Sequence, residues 1–258
     1  MAAATARVVL TVLAVLISTA LEACRTGGDD DTIHARAHPQ VLLFAGIGTS
    51  PADVAAMETI LDSSRVSYSA VDSPHLNAMA ESQISGYRLL IVAGGDFIDM
   101  GNSLTASTTA NVRNAVKGGL NYLGICAGGF LAGSFPPPYS SFNLSSGVKF
   151  GFYSAENRRT RKAAVWITTA EGPAFDQYWE DGPEFTGWGE VIGKYPDGTP
   201  AIVEGSVGQG WVVLSGVHPE APANWRRGMD FRTTAQVDNV YAATLIRAAL
   251  NREQLPHY

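Results

Sequence analysis

Cysteine is nearly absent from this chain: there are two in 258 residues, Cys24 and Cys126. A framework of several disulfides is therefore excluded. Basic side chains are in the minority, 18 Lys and Arg against 24 Asp and Glu for a net charge of −6. The electrostatic footprint of a nucleic-acid-binding surface is missing. The one basic cluster, Arg158, Arg159, Arg161 and Lys162, reads as a solvated loop rather than a phosphate site. No internal repeat, phosphate-binding glycine loop, dinucleotide fingerprint or metal-ligand cluster is found, and no cofactor is expected. The apolar run from Val8 to Leu21 falls short of the roughly 20 residues needed to span a bilayer core.

That run has the form of a secretory signal peptide over residues 1–23. Arg7 is the only charged side chain before it, and it ends in Leu21-Glu22-Ala23-Cys24. The exit resembles a bacterial lipoprotein signal with Cys24 as the lipidation site, although Glu22 stands where a small residue is usual. A buried N-terminal helix is the competing reading, but the run lacks a polar face and a stop signal. Residues 24–39 carry Gly27-Gly28 and Asp29 to Asp31 and little that is apolar, the composition of a flexible tether. The protein is thus expected to be exported, periplasmic or at the cell surface, and held to a membrane only through a lipid at Cys24.

Residues 40–255 suit one globular domain. Apolar runs alternate with helix-period segments, which predicts an α/β fold with a mainly parallel sheet. Strands are expected at Val41 to Ala45, Val66 to Val71, Arg88 to Ala93 and Leu120 to Ile125. Thr49 or Ser50 caps a helix that starts at Pro51. Leu76 to Ile84 is a weaker helix or turn, and Leu104 to Lys117 a helix ended by Gly118-Gly119. A short helix starts at Ala127. Beyond it, Ala163 to Thr169, Glu190 to Tyr195, Ala201 to Glu204 and Trp211 to Ser215 read as antiparallel additions to the sheet. Thr233 to Asn251 is a closing helix.

With Cys24 assigned to lipid, Cys126 is a lone cysteine in an exported protein. Gly124-Ile125-Cys126-Ala127-Gly128 joins a strand to a helix, the G-x-C-x-G form of a nucleophile elbow. The helix directs its positive end at the sulfur, which favours thiolate, and its free N–H groups face a developing oxyanion. Gly94 or Gly95, at the end of a neighbouring strand, offers the second oxyanion donor. Of five histidines, only His218 follows an apolar strand, in Ser215-Gly216-Val217-His218-Pro219-Glu220. Glu220 is placed to orient its ring. Each motif alone has an ordinary reading as tight packing; three separated segments at strand ends agree on one site.

Together Gly94-Gly95, the cysteine block and His218-Pro219-Glu220 resemble the class I glutamine amidotransferase superfamily. A closer resemblance is to the domain at the N-terminus of eukaryotic biotin–protein ligases and in stand-alone bacterial proteins. Its marks are Leu43 to Gly48, Ala93 to Asp96, Gly119 to Gly129 and Ser215 to Glu220, and the similarity covers about residues 40 to 252. The resemblance implies a flavodoxin-like three-layer sandwich. It implies Cys126 as nucleophile, His218 as base and acid, Glu220 as orienting carboxylate, and Gly95 and Ala127 as oxyanion donors. Thioester formation at an amide carbonyl, release of an amine and hydrolysis would follow.

The chain departs from true glutaminases in having Phe130-Leu131 after the elbow instead of a glutamine. Ala127 also separates it from relatives with histidine after the nucleophile. The expected function is therefore a thiol hydrolase acting on an amide of a small molecule or peptide. The alternative is a non-catalytic binding module that keeps the fold, either for a ligand or for protein contacts. In that case Phe135 to Phe142 and Asp181 to Phe185 are candidate walls of a ligand cleft.

Overall fold

The computed structural model describes residues 39–135, 138–145, 149–153 and 161–258. Residues 1–38, which hold the expected signal, Cys24 and all but the last residue of the expected tether, lie outside the described residues, as do Arg158 and Arg159. The order of elements begins β1 (Val41–Phe44), α1 (Pro51–Ser63), β2 (Tyr68–Val71), α2 (Ser73–Ala78), α3 (Glu81–Ile84) and β3 (Leu89–Val92). There follow α4 (Phe97–Ser103), α5 (Ala106–Gly118), β4 (Asn121–Ile125) and α6 (Ala127–Leu131). The second half holds β5 (Lys149–Phe152), β6 (Lys162–Thr169), β7 (Phe175–Glu180), β8 (Pro183–Thr186) and β9 (Glu190–Lys194), then β10 (Pro200–Val207), β11 (Gly210–Ser215) and α7 (Ala235–Asn251).

Nine strands form one mixed sheet in the order β2-β1-β3-β4-β11-β10-β9-β6-β7, and β5 pairs with β8 in a separate ribbon. The first five of these strands run parallel, and the remaining pairings are antiparallel. β11, expected among the antiparallel additions, instead pairs parallel with β4, so the parallel half has the flavodoxin-like order 2-1-3-4-5. The expected fold class is what the structure has.

Central strands buried on both faces should read as unbroken apolar runs, and β1 (VLLF) and β3 (LLIV) do, with every residue buried. Alternate side chains feed two separate cores. Val41, Leu43, Leu89 and Ile91 pack with Met57 and Leu61 of α1 and Leu245 and Ile246 of α7. Leu42, Phe44, Leu90 and Val92 pack on the other face with Val112 and Val116 of α5, Leu76 and Leu131. Helices therefore cover both faces, and the carboxyl ends of β1, β3, β4 and β11 share one edge. Among the described residues no helix is long and apolar enough to cross a membrane.

Several local expectations are refined. Ser50 is the cap of α1, its hydroxyl accepting from Asp53 N–H at 3.4 Å. Gly119 ends α5 at φ 126° as expected. The segment Leu76 to Ile84 is divided into two short helices by Met79 and Ala80, both in extended conformation. Three strands, β5, β7 and β8, and the helix α4 were not anticipated. The side chain of Asp96 caps α4 by accepting from the N–H groups of Ile98 and Asp99.

Candidate active site

Cys126 stands between the end of β4 and the start of α6 at φ 50° and ψ −106°. This is strained backbone for a residue with a Cβ, the kind of strain that clusters at functional sites. The turn is held by the Cys126 N–H, which donates to Ser215 O at 2.7 Å. Its tightness explains the flanking glycines. A Cβ on Gly128 would overlap the Val92 carbonyl, and one on Gly124 would lie 2.7 Å from the Gly128 carbonyl carbon. Cys126 is 6% exposed, and its thiol donates to Glu180 O at 3.5 Å.

The residue opposite is His218, just beyond β11. Its N–H donates to Tyr178 O at 2.8 Å, so β7 holds the backbone that carries the ring. Nδ1 lies 2.9 Å from Glu220 Oε1 and 3.1 Å from Asp53 Oδ1. The other nitrogen, Nε2, is buried without a hydrogen-bond partner. Cys126 lies close enough to raise the charge on the ring. Burial opposes charge on this ring. The nearby sulfur, Glu220 and Asp53 outweigh burial and hold the imidazole protonated well above its usual range.

The two carboxylates differ. Burial pushes Asp53 up, but pairing with His218 and the Ser50 hydroxyl leave it below the ordinary aspartate value. Burial pushes Glu220 above the ordinary glutamate value, and the charge of Asp53 adds to that rise while His218 opposes it. Asp53, His218 and Glu220 offer ligand atoms within 4.8 Å of one another. That is a cluster the sequence spacing conceals. Both carboxylates engage Nδ1 of the ring.

A cavity of about 480 Å³ opens on this group, lined by Gly95, Asp96, Phe97, Cys126, Ala127, Phe130, Phe152 and His218 among others. Its volume falls in the range of small-molecule sites. One wall is aromatic: Phe97 stacks on Phe130 at 4.7 Å and on Phe135 at 5.4 Å, and Phe152 lies 4.7 Å from Phe130. The opposite rim is polar, with Arg161 paired to Asp181 at 2.6 Å and Lys162 to Glu180 at 3.3 Å. A second cleft reaches Asp53 and His218 past Tyr178 and Trp225.

Every sequence-derived site residue among those described falls at this edge: Cys126, His218, Glu220, Gly95, Ala127, Gly124 and Gly128. Of Gly94 and Gly95, it is Gly95 that lines the cavity. Gly94 has another role, since its missing Cβ is what lets Asp53 and His218 meet. Of the candidate cleft walls, Asp181 lines the cavity and Phe135 stacks on the lining residue Phe97, while Phe142 and Phe185 are core residues. Arg161 and Lys162 are exposed and paired, but Lys162 is the first residue of β6 and not part of a loop. Asp53 was not singled out from the sequence.

The sheet order gives the chain a fold resembling that of glutamine amidotransferases. Solved structures of similar fold include a glutamine amidotransferase (TM-score 0.54, 20% identity, covering 70% of this chain and 90% of that one). Another is a glutamine amidotransferase from Thermotoga maritima (TM-score 0.52, 15% identity, covering 83% and 98%). A third is a putative GMP synthase protein from Thermoplasma acidophilum (TM-score 0.53, 15% identity, 84% and 97%). At these identities the likeness is one of fold. Residues 39–182 match the family model described as biotin-protein ligase, N terminal, and the chain belongs to that family. It is also 26% identical over 171 residues to the biotin–protein ligase of Schizosaccharomyces pombe, a match taking in 56% of this chain and 27% of that enzyme.

Proposed function

We propose that this domain is an exported thiol hydrolase that cleaves an amide bond of a small molecule or peptide, with Cys126, His218 and a carboxylate at Nδ1 as its machinery. The observation that carries the reading is a strained, cavity-lining Cys126 facing a buried histidine whose second nitrogen is engaged by carboxylates. In the reaction, the thiol proton already rests on His218 and the thiolate sulfur adds to the amide carbonyl. The N–H groups of Gly95 and Ala127 receive the oxyanion. As the C–N bond breaks, His218 returns its proton to the departing amine and a thioester remains. Water then gives a proton to His218 and its oxygen to the carbonyl, and the acid leaves as the thiol is restored.

The aromatic wall suits an apolar group on one side of the scissile bond, since Phe152 is 62% exposed at its edge. The same wall supports the second reading, a binding module in which Cys126 is architecture. Iodoacetamide labelling of the folded protein from pH 5 to 9, followed by mass spectrometry, separates the two. Under the hydrolase reading Cys126 labels well below the roughly pH 8.5 of a free thiol, and His218→Ala abolishes that reactivity. A labelling profile like that of a free thiol, unchanged by His218→Ala, would leave only the binding module.

A further inference from the structure

The motif His218-Pro219-Glu220 points to Glu220 as the carboxylate that orients the ring, yet two carboxylates meet the same nitrogen. We propose that Asp53 is the principal positioning residue of this site, the ionised carboxylate that holds and charges His218, with Glu220 its buried secondary partner. The inference deepens the hydrolase reading and rests on it only for the identity of the machinery.

The geometry sets the two carboxylates apart. Asp53 lies in the first turn of α1, a helix of 13 residues whose amino end is capped by Ser50. A negative side chain is stabilised there by the helix dipole. Each carboxylate has one buried oxygen without a hydrogen-bond partner, Asp53 Oδ1 and Glu220 Oε2, but the Glu220 side chain is fully excluded from solvent while that of Asp53 keeps 9% exposure. The more completely buried carboxylate carries the larger desolvation penalty when ionised, so the charge settles on Asp53 and the neutral form of Glu220 is favoured. The directions in which burial and His218 move the two groups agree with this division. The backbone is built for the Asp53 contact as well. At Gly94 any Cβ would overlap Asp53 Oδ1 and lie 2.7 Å from His218 Cε1.

The other titratable groups around the ring do not compete for Nδ1. Cys126 faces it from the elbow. Tyr178 on β7 donates its hydroxyl to Glu180 Oε2 at 2.5 Å, and Lys162 on β6 pairs with Glu180 at 3.3 Å. The ring of Trp225 adds an uncharged edge 6.0 Å away.

The test compares Asp53→Asn with Glu220→Gln, reading the His218 ring by 15N NMR titration and Cys126 by iodoacetamide labelling at pH 6. Asp53→Asn is expected to move the His218 titration to lower pH further than Glu220→Gln does. It should also slow labelling about tenfold, the effect of removing one opposite charge at contact distance, against less than about threefold for Glu220→Gln. The opposite ranking in both readouts overturns the proposal. Should Asp53→Asn fail to fold, Ser50→Ala, which weakens the cap beneath Asp53, must shift the His218 titration downward; no shift overturns it too. Neither readout needs turnover, so a protein without amide hydrolysis still decides the role of Asp53. A hydrolase that depends on Glu220 alone would keep the function and lose this inference.

Discussion

The cluster of Arg226, Asp238 and Asp176 beneath α7 allows a stability change to be predicted in sign and size. Asp238 is wholly buried, and neither of its side-chain oxygens has a hydrogen-bond partner. Arg226 lies 3.5 Å away. Burial lifts the Asp238 carboxyl from 3.8 to about 7, with Arg226 pulling down and Asp176 pushing up. Between those two values the folded chain holds a proton that the unfolded chain has released, so stability falls as pH rises through the window. At about 1.4 kcal/mol per pH unit, the whole window is worth about 4 kcal/mol, an upper figure because the site relaxes on ionising. Asp238→Asn removes this titration. Arg226 keeps its bond to Thr233 O and its place over the Phe231 ring, so the variant should fold. Urea unfolding from pH 4.5 to 8 gives both curves. The other titrating groups are common to both proteins and cancel in the difference. The advantage of wild type over Asp238→Asn should shrink steadily with rising pH and level off above about pH 7. Parallel curves would refute the reasoning.

The site yields further expectations. Gly94→Ala places a methyl where Asp53 and His218 meet, an overpacking that costs about 1–3 kcal/mol. Thermal unfolding should show that loss, and iodoacetamide labelling of Cys126 should slow; an unaltered labelling rate would mean the Asp53 contact does not matter. Phe152→Ala removes a side chain that is 62% exposed and should change stability by no more than about 0.5 kcal/mol. It should nevertheless cut the preference of Cys126 for a chloroacetanilide over chloroacetamide roughly three- to tenfold, the worth of one aromatic contact. An unchanged preference would remove Phe152 from the ligand wall.

The parts of the fold that were legible are those where one physical cause dominates. β1, β3 and β11 are apolar because both faces of the sheet are covered, and the chain writes that directly as VLLF, LLIV and WVVLS. β7 was hidden because its residues serve other elements. Asp176 is buried and accepts from the N–H groups of Arg232 and Thr233, tying the segment before α7 to the sheet, so FDQYWE does not read as a strand. α4 was missed for a different reason. FIDMGNS carries a glycine and few strong helix formers, and the Asp96 cap that starts it stood in what looked like a strand-end turn.

The site shows the same division. Cys126 and His218 were visible because nothing in local structure asks for a cysteine between two glycines or a histidine at the end of a buried strand. Asp53 was invisible because local structure does ask for it. Asp53 stands in the first turn of α1, where an acidic residue is an ordinary choice beside the helix dipole, and that local reading hides its other role. Its approach to His218 comes from the sheet order, which sets the turns after β1 and β11 at one edge with β3 and β4 between them. Gly94, at the end of β3, leaves the gap that the aspartate crosses. A residue that satisfies a local rule can thus carry a second role that only tertiary order assigns. Here the cap also explains why the role is feasible, since the helix end that makes aspartate a good local choice stabilises the charge His218 needs.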